Sequence, residues 1–166
     1  MTAALLVESL AAEIRDATKN LKLPIEYQNE RERRLESTWR RVRVYEQYLP
    51  DADFQNDTYY PLVVVEWLST LDKTRGRENG SIATVGLSFG VFAKEADAWK
   101  DCFHLMETVR QRLLFKRTIA DRFRLEDEIT WQVASNQPVP FFYGYGELQY
   151  EIYQPLEPMP YKEWNK

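Results

Sequence analysis

The stretch from Ile82 to Leu114 most constrains the fold, because it joins a β-strand pattern to a long amphipathic helix pattern. The strand alternates apolar with small residues, which places its large side chains on one face. The helix repeats apolar residues at steps of three and four, which gives an apolar stripe. The strand residues are Ala83, Val85, Leu87, Phe89 and Val91, and the stripe is Trp99, Cys102, Phe103, Leu105, Met106, Val109 and Leu113. We expect the helix to pack across a sheet on this face.

The chain has 166 residues, which is enough for one domain with a core and too few for two ordinary domains. No apolar run reaches the roughly 18 residues of a membrane span, so we expect no membrane partner. The single Cys102 excludes an internal disulfide, and its place on the apolar stripe predicts a buried thiol. We expect residues 1–154 to form one domain. Residues 155–166 contain three prolines and no apolar period, which predicts an extended arm outside that domain.

The remaining periodic stretches complete the predicted fold. They indicate a helix over 2–20, a half-exposed strand over 40–49, an apolar strand over 62–71, and strands over 129–133 and 145–153. The connections at 50–61 and 72–80 are too short for parallel crossovers, so we expect the strands that they join to run antiparallel. The predicted fold class is therefore α+β, with a mostly antiparallel sheet of four to five strands and two helices packed on one face.

Residues that usually carry catalysis are scarce. His104 is the single histidine, and its helical position beside the stripe is typical of a surface residue. With one histidine and one cysteine, no zinc or iron site of the usual ligand spacing can be assembled. Glu126 and Glu128 lie in a charged connector, so we expect them to be solvated surface charges and not an acid–base pair. We expect no enzymatic activity, no cofactor and no metal site.

Positive charge is concentrated in residues 31–43. Six arginines and two glutamates give this segment a charge of +4, and because the whole chain carries −4, the remainder carries −8. One interpretation is a patch that faces phosphates or acidic groups. The other is a solvated strand edge whose arginine stems cover apolar surface. The candidate interface residues here are Arg40, Arg41 and Arg43, together with Tyr59 and Tyr60 from the following loop.

The other candidate interface residues lie on the small-residue face of the central strand and in the arm. They are Gly86, Ser88, Gly90, Met159, Tyr161 and Trp164. Small residues within a strand are explained by bulges or sheet strain, or by close approach of a neighbouring subunit. The large apolar residues of the arm are costly to leave in water, so we expect them to dock on a partner or a neighbouring subunit.

Several motifs follow one another in a recognisable order. A strand ends in an acidic turn and leads to a helix with the core VRQRLL at 109–114, and then to a strand with central Trp131. The segment QPVPFFYG at 137–144 and a closing strand that ends near Pro155 complete the order. Residues 82–155 thereby resemble the C-terminal half of the tail terminator proteins of long-tailed bacteriophages. The acidic turn at 94–97 departs from that family, since it lacks the glycine and the additional aspartates.

The resemblance implies a structural virion protein that caps the tail tube as a ring, ends tail polymerisation and provides the surface that joins the head or neck. The implied partners are further copies of the chain in a homo-oligomeric ring, expected to be a hexamer, and the tail tube protein. The sheath and the head–tail connector or neck protein are further candidates, and DNA would only pass through the lumen. The implied location is the tail–neck junction of the virion, after assembly in the host cytoplasm. The resemblance implies no catalytic residue, cofactor or metal.

Alternatives of other classes remain open. A single-stranded nucleic-acid-binding module would use Tyr45, Tyr59, Tyr60 and the arginines as a stacking and phosphate surface, and salt-dependent binding to an oligonucleotide would favour it. Another head–tail connector protein is a second alternative. A small-molecule enzyme is a third, against which the scarcity of catalytic residues argues.

Overall fold

The computed structural model describes residues 3–25, 31, 34, 38–73, 80–94 and 96–154. Within these residues the chain forms two α-helices, α1 (Ala3–Thr18) and α2 (Trp99–Phe115), and eight β-strands. The strands are β1 (Lys22–Pro24), β2 (Trp39–Arg41), β3 (Arg43–Glu46), β4 (Leu62–Lys73), β5 (Gly80–Phe92), β6 (Thr118–Ile119), β7 (Phe123–Val133) and β8 (Phe141–Ile152). Short 3₁₀ helices cover Asp57–Tyr59 and Ala96–Ala98.

Six strands form one mixed sheet in the order β3-β4-β5-β8-β7-β6. β3 runs parallel to β4, and each other neighbouring pair is antiparallel. β1 and β2 form a separate two-stranded antiparallel sheet. The predicted fold class is therefore wrong, because the described chain has a mixed six-stranded sheet and a second small sheet instead of one mostly antiparallel sheet of four to five strands.

The strand predicted over 40–49 is the source of the error. It divides at Val42, so that β2 pairs with β1 while β3 joins the main sheet beside β4. The connection from β3 to β4 covers residues 47–61, and its 15 residues meet the dozen or so that a parallel crossover needs. The predicted connector over 116–127 also contains strand structure, since β6 and the start of β7 form a short hairpin there.

The main core lies between the helices and one face of the sheet. Ala83, Val85, Leu87, Phe89 and Val91 of β5 are all buried there, which confirms the alternation read from the sequence. The two helices add Leu6, Leu10, Ile14, Leu105, Val109 and Leu113. α1 contacts β3 and β4 at one edge of the sheet and β6 at the other, so the sheet curls around the helices. Apolar burial of this kind stabilises a fold by roughly 25 cal/mol per Å².

An ion-pair network joins the two helices at the rim of this core. Arg112 Nε donates to Glu13 Oε1 at 2.5 Å, Lys116 Nζ donates to Glu13 Oε2 at 2.5 Å, and Arg112 Nη2 donates to Asp16 Oδ2 at 2.7 Å. Partial burial alone raises the pKa of Glu13, but the two cationic donors outweigh it and leave this pKa below its usual value. The network fixes α2 relative to α1.

Candidate functional site

Of the arginines predicted as interface residues, Arg43 begins β3 at one edge of the main sheet, whereas Arg40 and Arg41 lie just before it on β2 of the small sheet. Arg43 Nη1 donates to the carbonyl oxygen of Thr58 at 2.8 Å, and Arg40 Nη1 donates to that of Asp57 at 3.4 Å. Arg41 and Arg43 are exposed, and Arg40 is half-buried. Two of the three guanidinium groups therefore help to hold the loop between β3 and β4. We call Arg40, Arg41 and Arg43 the basic edge.

The tyrosines predicted as interface residues belong to a second apolar cluster on the sheet face opposite the helices. This aromatic cluster comprises Tyr45, Leu49, Tyr59, Tyr60, Leu62, Val64, Phe92, Phe141 and Tyr143. Tyr60 is fully buried in it, and its ring centroid lies 5.1 Å from that of Phe141. Tyr45 and Tyr59 are half-buried and pack edge to face at 5.8 Å. The loop from β3 to β4 thus closes this end of the sheet with its own tyrosines.

Hydrogen bonds satisfy the hydroxyls of Tyr59, Tyr60 and Tyr143 in the aromatic cluster. The Tyr60 hydroxyl donates to the carbonyl oxygen of Phe54 at 2.6 Å, and its oxygen lies 2.7 Å from that of Tyr143. Burial, aided by the bond with Tyr143, raises the pKa of Tyr60 far above its usual value. The Tyr59 hydroxyl donates to Asp51, and this bond raises the pKa of Tyr59 to about 12. These hydroxyls therefore anchor the loop in their neutral form.

The small-residue face of β5 lies beside the aromatic cluster. A Cβ added at Gly90 would lie 2.6 Å from Tyr60 Cε1, and one added at Gly86 would lie 3.2 Å from Leu68 Cδ1. Ser88, between the two glycines, is half-buried and pairs with Tyr145 of β8. Side chains of the same chain therefore occupy the space above both glycines. A subunit contact at this face stays a prediction.

The three remaining candidates, Met159, Tyr161 and Trp164, lie outside the described residues. A subunit contact through these arm residues also stays a prediction.

A surface that the sequence reasoning missed lies between α2 and the end of β7. Two adjoining cavities of about 220 and 230 Å³ share Phe103 and Val133 as lining residues. Their apolar lining includes Trp99, Phe103, Met106, Trp131, Val133 and Phe142. We call this surface the open groove.

The open groove exposes aromatic residues that were predicted to be buried. Trp99 is 44% exposed and Phe103 is 48% exposed, so their assignment to the buried stripe of α2 is wrong. The buried side of α2 is centred on Leu105 and Val109, which places Trp99 and Phe103 on its flank. The two rings contact each other edge to face at 5.5 Å, and Val133 opposite is 40% exposed.

Two glycines of β8 lie beneath the side chains that line the open groove. A Cβ added at Gly144 would lie 2.1 Å from Met106 Sδ, and one at Gly146 would lie 2.8 Å from Trp131 Cζ3. Because these positions lack side chains, Met106 and Trp131 lie directly against the strand. The alternating glycines of the YGYG run at 143–146 were the available sequence signal for this close approach.

Acidic residues lie at the sheet edge opposite the basic edge. Glu126, Asp127 and Glu128 follow one another on β7, beyond the short pairing with β6. Arg117 Nη2 contacts Asp127 Oδ1 at 2.6 Å, and Asp127 and Glu128 are exposed. We call Glu126, Asp127 and Glu128 the acidic edge. Arg43 at one end of the main sheet and the exposed Asp127 and Glu128 at the other therefore carry opposite charge.

The described part of the chain offers little for bond chemistry. It holds no group of three or more His, Cys, Asp or Glu residues placed to bind a metal ion. Burial raises the pKa of Cys102 to about 12, so its thiol stays protonated and unreactive at neutral pH. His104 is exposed on α2. Among the described residues, no helix has the length and apolar character to span a membrane.

No protein-family model matches the chain, and no curated protein sequence is significantly similar to it. The tail terminator resemblance of residues 82–155 therefore stays a prediction from the sequence motifs.

Proposed function

We propose that this chain is a structural assembly protein of a tailed bacteriophage or a phage-derived particle. It forms a ring on the end of the tail tube, ends tail polymerisation and presents a joining surface to the head or neck. The proposal starts from the motif order in residues 82–155. Its partners are further copies of the chain, the tail tube protein and a connector or neck protein, and its location is the tail–neck junction.

The observation that carries the ring is the opposite charge of the basic edge, which lies on β2 and β3, and the acidic edge, which lies on β7. The basic edge of one copy is complementary to the acidic edge of the next, which makes a head-to-tail contact between different surfaces. A heterologous contact of this kind generates a ring when its rotation closes the circle. Because the charges are exposed, we expect the contact to weaken as salt rises.

The nucleic-acid alternative has less support from the geometry. Sequence-tolerant binding of single strands needs aromatic faces on which bases can stack. Tyr60 is fully buried, and Tyr45 and Tyr59 pack against each other. The stacking surface assigned to that alternative is thus largely occupied within the chain.

A charge-swap series tests the ring. Arg41→Glu reverses one exposed charge of the basic edge, and Lys94→Glu makes the same change in net charge at an exposed position that follows the central strand β5. We expect Arg41→Glu to reduce particle mass in light scattering with tail tube subunits, and to give tails of abnormal length in a complementation assay. Lys94→Glu should behave as the wild type. Adding Glu128→Arg to Arg41→Glu should restore assembly, since the contact regains opposite charges.

Two results together would overturn the proposal. The wild-type protein would stay monomeric both alone and with tail tube subunits, and tails would have normal length when the gene is removed.

A further inference from the structure

We propose that the open groove of one copy binds residues 155–164 of a second copy as an extended polyproline segment. The inference deepens the proposed function and rests on it, because the bound segment would connect neighbours in the ring. The bound segment, residues 155–164, follows directly after Gln154, the last residue that the structure describes.

The open groove has the chemistry that proline-rich segments select. Such segments dock in grooves lined by aromatic side chains, where little entropy is lost because the extended helix is already formed. Trp99 and Phe103 present exposed rings on one wall, and Val133 lines the other. Met106 and Trp131 close the floor against the two glycines of β8. Without an occupant, about half of two large aromatic side chains stays in water, which is typical of an interaction site.

The sequence of the arm has the matching period. A polyproline helix has three residues per turn, so every third residue lies along the same edge. Pro155, Pro158, Tyr161 and Trp164 follow one another at this spacing. One edge of the segment would therefore present two proline rings and two aromatic rings in a row. This is an apolar ridge that fits an apolar groove.

Reach favours the arm of a second copy over the chain's own. β8 runs away from the open groove and ends at Ile152, eight residues past Gly144, which pairs with Val133 in the groove wall. Eight strand residues span about 26 Å. To return, the arm must first reverse direction, which takes about four residues. Tyr161 is nine residues after Ile152, so the remaining five residues cover only about 16 Å in polyproline geometry, and Pro155 and Pro158 fall shorter still. Only Trp164 could return as far as Gly144, so the chain's own groove cannot hold the whole segment. The arm of a neighbouring copy has no such limit.

A peptide-binding experiment tests the contact without a ring. The protein is the full chain with Tyr161→Ser and Trp164→Ser, so that its own arm is disabled, and the probe is a fluorescein-labelled peptide of residues 155–166. We expect saturable binding by anisotropy. Phe103→Ser in the open groove should weaken it by about tenfold or more, as expected for an aromatic contact residue. Phe115→Ser is the matched control, because Phe115 is 89% exposed on the same helix and lines neither cavity. No binding, or equal loss in both variants, overturns the inference.

A mixing experiment decides between the two copies. Protein with the disabled arm keeps its groove, and Phe103→Ser protein keeps its arm. Both proteins also carry Arg41→Glu, which disrupts the contact between the charged edges. If the arm acts between copies, each variant alone then stays monomeric while a mixture of the two gives a one-to-one dimer in light scattering. Peptide binding without this dimer would assign the groove to the chain's own arm and overturn the inference.

The two proposals fail separately. Rings and normal tail capping without peptide binding would overturn the groove contact alone. Peptide binding and mixed dimers, with tails of normal length in the absence of the gene, would overturn the tail function alone.

Discussion

The aromatic cluster and the open groove are built from the same kinds of residues, yet the chain closes one and leaves the other open. In the cluster, the loop between β3 and β4 lays Tyr60 over Gly90 and hydrogen-bonds its hydroxyl. In the groove, Met106 and Trp131 cover glycines in a similar way, but Trp99 and Phe103 above them stay about half exposed. Close approach to a glycine is thus common to both regions. The difference is that the loop between β3 and β4 covers the cluster, whereas no segment among the described residues covers the groove.

This difference has an energetic consequence. A fully buried aromatic ring contributes its whole apolar area and its packing contacts to the folded state. A half-exposed ring contributes to folding only in part, and the rest of its area becomes available when a partner covers it. The cluster should therefore determine stability, and the groove should determine association.

The largest expected effect sharpens this contrast directly. Tyr60→Ala removes a fully buried ring and should lower the free energy of unfolding by about 3–5 kcal/mol. Phe103→Ala removes a half-exposed ring and should lower it by only about 1 kcal/mol, because about half of its apolar area is already in water. Urea unfolding followed by circular dichroism measures both. Similar losses for the two variants would mean that the groove is part of the folding core.

A second pair of variants tests the space above the glycines of β5. Gly90→Ala places a methyl group 2.6 Å from the buried ring of Tyr60, and overpacking of this kind should cost about 1–3 kcal/mol. Gly86→Ala meets Leu68, which is 51% exposed and free to move, so its cost should stay below about 0.5 kcal/mol. The control shares the strand, the face and the substitution. Equal thermal unfolding temperatures for the two variants would contradict this account of the cluster.

The smallest expected effect concerns alkaline pH. Because the pKa of Tyr60 is raised in the folded state, its contribution to stability is full below the unfolded pKa of about 10 and is lost as pH rises beyond it. Tyr60→Phe removes the ionisable group, so its unfolding temperature should fall less steeply than that of the wild type above about pH 10. Tyr48→Phe, at a side chain that is 71% exposed, is the matched control and should keep the wild-type slope. Identical slopes for all three proteins would show that Tyr60 does not titrate differently in the folded state.

Periodicity predicted the parts of the fold that depend on neighbours in sequence. The alternation in β5 and the core positions Leu105, Val109 and Leu113 of α2 were readable because one apolar face must be buried. Trp99 and Phe103 were misassigned for a related reason. A stripe shows which side of a helix is apolar, but the width of the sheet beneath decides how much of that side is covered.

The candidate site was only partly readable from the sequence. Arg41 and Arg43 were identified as exposed charges, and the structure places them at a sheet edge. Tyr60 was expected at an interface, yet it is buried, since nothing local to the loop shows that it folds back over Gly90. The open groove had only the alternating glycines at 143–146 as its signal, and glycine alone does not show which side chain fills the space above it.

The sequence by itself determined the two helices and the apolar face of β5, because each depends on residue type and spacing along the chain. Only the tertiary structure decided the parallel pairing of β3 with β4 and the strand order that separates the basic edge from the acidic edge. It also decided which aromatic residues are covered. The physical reason is that strand pairing and side-chain cover join residues far apart in sequence. Their free energies depend on the packing of the whole sheet, which no local period contains.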